Sequence, residues 1–122
     1  MAEHIVIGQK GEALAVAYLE SKGYTILETN WRFKRAEVDI IAKDHNILVF
    51  IEVKTRSTDF FGQPEEAITE KKQKIIADAS SVYMEHINHN WEIRFDYISI
   101  IYEDSDNFRV KHFPDAFFPG LF

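Results

Sequence analysis

The sequence predicts an α/β protein whose mixed β-sheet is flanked by helices, and three features carry that expectation. Residues 7–22 have helical spacing, two β-rich runs flank Asp44-His45-Asn46, and a second helical stretch separates that pair from the strand-like WEIRFDYISIIY of residues 91–102. A tight turn leaves its two strands antiparallel, whereas a helix crossing between two strands of one sheet makes them parallel. The sheet must then be mixed, with element order αβββαβ and a further strand near the end. A length of 122 residues, 46% of them hydrophobic and 14% aromatic, suits one globular domain, 1–122, with a core of modest size.

In the first stretch, IGQKGEALAVAYLESK, the residues Leu14, Ala17, Tyr18 and Ser21 recur at helical spacing. Val16 and Leu19 widen the stripe, and Gly23 stands where a helix stops. Glu12 has Ala15, Val16 and Leu19 three, four and seven residues on, which sets it along the margin of the apolar stripe. Tyr24 to Asn30 alternates as a strand does. From Trp31 to Arg35 the basic residues Arg32, Lys34 and Arg35 are mixed with aromatics, a pattern that nucleic-acid-binding surfaces and ordinary solvated loops share.

Val38, Ile40 and Ile41, then Ile47 to Ile51 and Val53, favour strands, and the polar triplet between them marks a turn. A loop of two residues, His45-Asn46, or of four gives antiparallel partners whose numbers sum to 91. Asp39 then faces Glu52, and Glu37 faces Lys54. A three-residue loop would oppose Asp39 to Ile51 instead. The first register puts Val38, Ile40, Ala42, Val49, Ile51 and Val53 on one apolar face and Asp39, Glu52 and Lys54 on the other, so it is the one expected.

Ser57 to Pro64, with Gly62, reads as a loop. Pro64 or Thr69 then opens a helix with Ile75, Ile76, Ala79, Tyr83 and Ile87 as its buried stripe and Lys71, Lys72 and Lys74 in its early turns. Cations at a helix N-terminus oppose the macrodipole and so call for a negative partner. EDSDN reads as a turn, Phe108 to Phe113 as the further strand, and PDAFFPGLF as an aromatic tail that could receive a protein partner.

Directly opposed carboxylates destabilise a sheet by up to about 1 kcal/mol, and by more in the apolar surroundings that Ile41, Leu48 and Phe50 provide. A divalent cation would offset that cost. Two carboxylates, a backbone carbonyl such as that of Val53, and waters suit Mg²⁺, with Mn²⁺ as a substitute. Lys54, two residues after Glu52 on the same face, would sit beside the metal-bound water and stabilise charge building on a phosphate. A plainer account also exists: an acid-x-Lys triplet arises readily in a chain that is 28% charged, and Glu37 with Lys54 would make a simple cross-strand ion pair.

The absence of cysteine excludes disulfides, thiolate nucleophiles and cysteine zinc sites. Among the histidines, only His86 and His89 could share a helical face. No apolar run approaches 18 residues, and MAEHIVIGQK lacks the basic start and apolar stretch of a signal peptide, so a cytoplasmic location away from membranes is expected. The net charge of −6 works against nucleic-acid binding, which draws most of its affinity from neutralised phosphates. From Glu85 onward, however, seven acids stand against three bases, which leaves 13 against 11 in residues 1–84. Arg32, Lys34, Arg35, Arg56, Lys71 and Lys72 can there form a local basic face toward nucleic acid.

The stretches GEALAVAYLESKGYTILETNWR, AEVDIIA, LVFIEVKTR, AITEKKQKI, RFDYISI and HFPDAFF cover nearly the whole chain and resemble the bacterial YraN-like uncharacterised family. Glu12 on a helix, Asp39 on a strand and Glu52-x-Lys54 on the next strand resemble the skeleton of the PD-(D/E)xK, or restriction-endonuclease-like, nucleases. The resemblance implies a restriction-endonuclease-like core, with Glu12, Asp39 and Glu52 as acidic metal-site residues and Lys54 as the catalytic lysine. It also implies Mg²⁺-dependent hydrolysis of phosphodiester bonds in DNA, with branched or damaged DNA as candidate substrates. Lys72 matches a basic position of the family's helix. The family usually has glycine where this chain has Ala36, which raises the question of a sharp backbone turn there. Because fold alone does not give function, a non-catalytic nucleic-acid-binding or protein-interaction module that keeps the fold is the alternative.

Overall fold

The computed structural model describes residues 3–56, 68–104 and 106–117, with side chains from Val6 onward. Helix α1 (Glu3–Ser21) leads into strands β1 (Thr25–Phe33), β2 (Ala36–Asp44) and β3 (Ile47–Arg56); helix α2 (Glu70–His86), β4 (Ile93–Asp104) and β5 (Asn107–Phe113) follow. The strands lie in the order β1-β2-β3-β4-β5, with β3 and β4 parallel and the other neighbours antiparallel. This is the mixed α/β arrangement that the sequence predicts, and it is consistent with a restriction-endonuclease-like core.

The helices cover opposite faces of the sheet. Ala15 and Leu19 of α1 pack on Ile40, Ala42, Val49, Ile51, Ile98 and Ile100. Ile76, Ala79 and Tyr83 of α2 pack on Ile41, Leu48, Phe50, Phe95 and Tyr97. Burial on both faces explains why β3 and β4 read as nearly continuous apolar runs rather than alternating ones.

The α1 stripe is rotated from the expected position, and the α2 stripe keeps Ile76, Ala79 and Tyr83 but not Ile75 and Ile87. In α1 the buried line is Gly11, Ala15 and Leu19, whereas Ala17 and Ser21 are exposed. Small residues had set the predicted stripe, and they bind it weakly because they bury little area. The buried glycine has a steric reason: a Cβ at Gly11 would collide with Thr55 Oγ1, so the helix lies directly on β3 there. Gly23 ends α1 at φ 91°, with the Tyr24 N–H donating to the Leu19 carbonyl and the Gly23 N–H to that of Glu20. Glycine is favoured in this left-handed closure.

Helix α2 starts at Thr69, whose hydroxyl accepts from the Lys72 N–H. Pro64 and the expected 57–64 loop lie outside the described residues. The buried line of α2 is Ile76, Ala79, Ser80 and Tyr83, while Ile75 and Ile87 are each 42% exposed. Ile75 and Ile76 stand about 100° apart on a helix, so only one of them can face the sheet. Of the aromatic tail, Phe117 is buried against Phe95, and residues 118–122 lie outside the described residues.

The β2–β3 turn is His45-Asn46, and the pairs Ile40↔Ile51, Ile41↔Phe50 and Ala42↔Val49 give the expected sum of 91. The ladder ends at Ile40↔Ile51. Beyond it the strands part, so the expected pair Asp39↔Glu52 is not formed in the ladder, and two further expectations fail for the same reason. Glu37 does not meet Lys54 but pairs with Arg32 of β1 at 2.8 Å, and Val38 packs with Ala36 and Ile41 on the α2 side. The sharp backbone position near Ala36 is taken by Lys34 at φ 56°, and Ala36 itself is buried strand.

On β4, opposite Ile51, a buried carboxylate ties neighbouring segments together. Asp96 accepts from Arg94 Nε at 2.8 Å, from Arg94 Nη2 and the Asp115 N–H at 2.9 Å, and lies 2.7 Å from His112 Nε2. Arg94 also reaches Asp44 and Tyr24. Burial alone would raise the Asp96 carboxyl, but the bonds from His112, Arg94 and Asp115 hold it below the usual range. Asp96→Ala strands Arg94 and His112 without their acceptor, and urea denaturation should show a loss of about 3–5 kcal/mol. An unchanged midpoint would contradict that role.

Candidate active site

Asp39 is the first β2 residue beyond the last ladder pair. Its Oδ2 accepts the Val53 N–H at 2.8 Å, which satisfies a backbone donor of β3 where the β2–β3 ladder has ended. Glu52, next to Val53, turns toward α2, where its Oε1 forms a 2.6 Å ion pair with Lys72 Nζ. Its other oxygen, Oε2, is buried and has no hydrogen-bond partner among the described residues. Both carboxylates are only 9% exposed.

Burial does most to push the Asp39 carboxyl up to about 7, and the charge of Glu52 comes next; Glu12 and Glu37 push the same way, and the Val53 N–H opposes them. Burial also raises Glu52, which Lys72 partly offsets, with Glu37 raising it further and Lys54 lowering it. Glu12, half-buried on α1, is raised by burial, steadied by the Asn30 side chain and raised again by Glu37. Glu52 and Glu12 both bear on the charge of Asp39, and exposed Lys54 on that of Glu52.

Four contributors were not anticipated in these roles. Glu37 acts on all three acids, and its spacing of two before Asp39 was the available signal. Asn30, at φ 52° in β1, holds Glu12. Gly11 lets α1 lie on β3 one residue before Glu12, and Lys72 grips Glu52 across the sheet face. A lone glycine inside a helical pattern, as at Gly11, is itself a hint of close packing.

The expected basic face is only partly assembled. Arg32 is engaged by Glu37 and Lys72 by Glu52, whereas Lys34, Arg35 and Lys71 are exposed. Arg56 is half-buried on β3, where its charge bears on the Tyr97 phenol. His86 and His89 do not form a ligand pair: His89 lies beyond α2, buried, with Nε2 2.9 Å from the Glu92 carbonyl and its ring against Trp91.

The donor chemistry fits a hard divalent cation. Glu52 Oε2 lacks a partner among the described residues, and the Asp39 carboxyl is raised by burial and then by negative neighbours whose repulsion a cation would relieve. Among the described residues, however, no three Asp, Glu, His or Cys side chains stand in a geometry that holds an ion. Asp39, Glu52 and the Val53 backbone are therefore the candidate ligands, with Glu12 further out.

The sequence model of an uncharacterised protein family, UPF0102, matches residues 11–100, a span that runs from Gly11 through Ile100 and contains all of these acids. The chain belongs to that family. A UPF0102 protein of Flavobacterium psychrophilum is 47% identical over 118 residues, 97% of this chain and 98% of its own length. One from Bacteroides thetaiotaomicron is 48% identical over 122 residues, the full length of both chains. A third, from Christiangramia forsetii, is 48% identical over 118 residues, with 97% and 98% covered. The UPF0102 assignment agrees with the YraN-like resemblance in the sequence.

The electrostatics of this UPF0102 site set a pH dependence. An acid whose folded pKa is raised gives stability that is complete below its unfolded value, 3.8 for Asp39, and is lost as pH rises through about 7. Wild type should therefore lose stability between pH 4 and 7, with a slope of up to about 1.4 kcal/mol per pH unit. Asp39→Asn keeps an acceptor for the Val53 N–H but cannot ionise, so its melting temperature should vary less across that window and exceed wild type at pH 8. A mutant that melts below wild type at pH 8 would show that the charge stabilises the fold.

Proposed function

We propose that this chain is a divalent-metal-dependent phosphodiester hydrolase acting on nucleic acid, with DNA, including branched or damaged DNA, as its substrate. The observation that supports this most is a pair of buried, mutually destabilising carboxylates, Asp39 and Glu52, one of which has a buried oxygen with no partner among the described residues. Strongly perturbed acids concentrated at one place are more common at sites of chemistry than in structural cores. Mg²⁺, or Mn²⁺ in its place, would be held by Asp39, Glu52 and the Val53 carbonyl. When bound, the ion supplies charge neutralisation and a more acidic attacking water.

The chain's own residues do the rest. Asp39, anchored by the Val53 N–H, is fixed in position before substrate arrives. Lys54 is exposed beside Glu52 and can stabilise the charge that develops on the phosphate. Glu12, raised by burial, can hold or release a proton near Asp39. Lys71, exposed in the first turn of α2, can receive a flanking phosphate.

A second reading, the non-catalytic binding module, has one specific observation in its favour. Lys72 already pairs with Glu52 at 2.6 Å, which is how a structural carboxylate is held. Incubation with Mg²⁺ or Mn²⁺ and linear, flapped and four-way DNA should give cleavage, and Lys54→Ala should slow it by about 10²-fold or more. No cleavage of any substrate with either ion would favour the binding module.

A further inference from the structure

Ile75 is 42% exposed on α2, although an isoleucine gains from burial. It stands on the wall of a groove of about 430 Å³ between α2 and the β1–β2 turn. Phe33, Ala36 and Ala79 make the other apolar walls, and Lys34 and Arg35 line it from the turn. That volume is within the range of small-molecule sites. One wall residue, Ala36, immediately precedes Glu37 on β2, and Lys71 and Lys72 lie one turn before Ile75 on α2.

We infer that this groove holds the base of an unpaired nucleotide next to the phosphate that is cut, which makes single-stranded or flapped nucleic acid the preferred substrate. The inference rests on the nuclease proposal above. A base has an apolar face that suits Phe33 and Ile75, and its flanking phosphates suit exposed Lys34, Arg35 and Lys71. A duplex keeps its bases stacked inside and offers the groove only backbone. An apolar peptide would fill the same walls but would gain nothing from the three cations. Asp78, also in the lining, can accept from the amino group of adenine, cytosine or guanine.

The test is fluorescence anisotropy in EDTA with a labelled 20-nucleotide single strand and the matching blunt duplex, on wild type, Ile75→Ser and Ile75→Phe. Because Ile75 is exposed, both variants should fold as wild type does. Wild type should bind the single strand about tenfold more tightly than the duplex; Ile75→Ser should lose that advantage while duplex affinity stays unchanged, and Ile75→Phe should retain it. Equal affinity of wild type for both oligonucleotides, or an Ile75→Ser chain that loses both equally or neither, overturns the role of the groove. Should wild type nevertheless cut DNA with Mg²⁺, the nuclease proposal stands without it. Failure to bind either oligonucleotide overturns the role of the groove and leaves a protein partner as its occupant, while cleavage with Mg²⁺ separately decides the nuclease proposal.

Discussion

Two carboxylates in an apolar interior, at the point where two strands part, are the constraint on which the rest of this structure depends. Asp39 and Glu52 are buried where each raises the cost of the other's charge, and neither is neutralised in full by what surrounds it. The fold supplies partial compensation from three directions: the Val53 N–H, the Lys72 ammonium, and the field of Lys54. The parting of β2 from β3 creates the geometry. A ladder continued past Ile40↔Ile51 would have used the Val53 N–H, and the Asp39 carboxylate would have lost its anchor.

The remaining architecture can be understood as support for that opening. β3 is held on its far side by a long parallel ladder with β4 that runs from Leu48↔Ile93 to Arg56↔Ile101, so it stays straight after β2 has left. Helix α1 brings Glu12 toward Asp39 because Gly11 permits contact with Thr55, and α2 brings Lys72 to Glu52 from the opposite face. The Asp96 network fastens β4, β5 and the β2 end, and Asp96 itself stands opposite Ile51, the residue before Glu52 on β3.

Much of this was legible in the sequence, and the failures share a physical cause. The turn at His45-Asn46 sets the register as far as Ile40↔Ile51, one residue short of Asp39 and Glu52. Periodicity located both helices and most of the α2 stripe but not the rotation of α1, where Ala17 and Ser21 mimic a stripe at the right spacing; in α2, Ile75 beside Ile76 offers two candidates for one position. The pairing of Glu37 with Lys54 failed because a register argument assumes a continuous ladder, and nothing local in AEVDIIA announces that the strands separate. Lys72 could be seen as a cation seeking an anion at a helix N-terminus, but that the anion is Glu52 is a tertiary fact. Family membership confirms the resemblance without adding chemistry, since UPF0102 is itself uncharacterised.

The balance between enzyme and binding module turns on whether the Asp39–Glu52 pair selects a cation stronger than Lys72. Isothermal titration of metal-free wild type with Mn²⁺, beside Asp39→Asn, measures that directly. The site described here predicts saturable binding to wild type, at least tenfold weaker in the mutant, with a rise in wild-type melting temperature at millimolar ion through linkage to the folded state. A wild type that takes up no Mn²⁺ and melts at the same temperature with and without it would contradict the metal site and the nuclease proposal together.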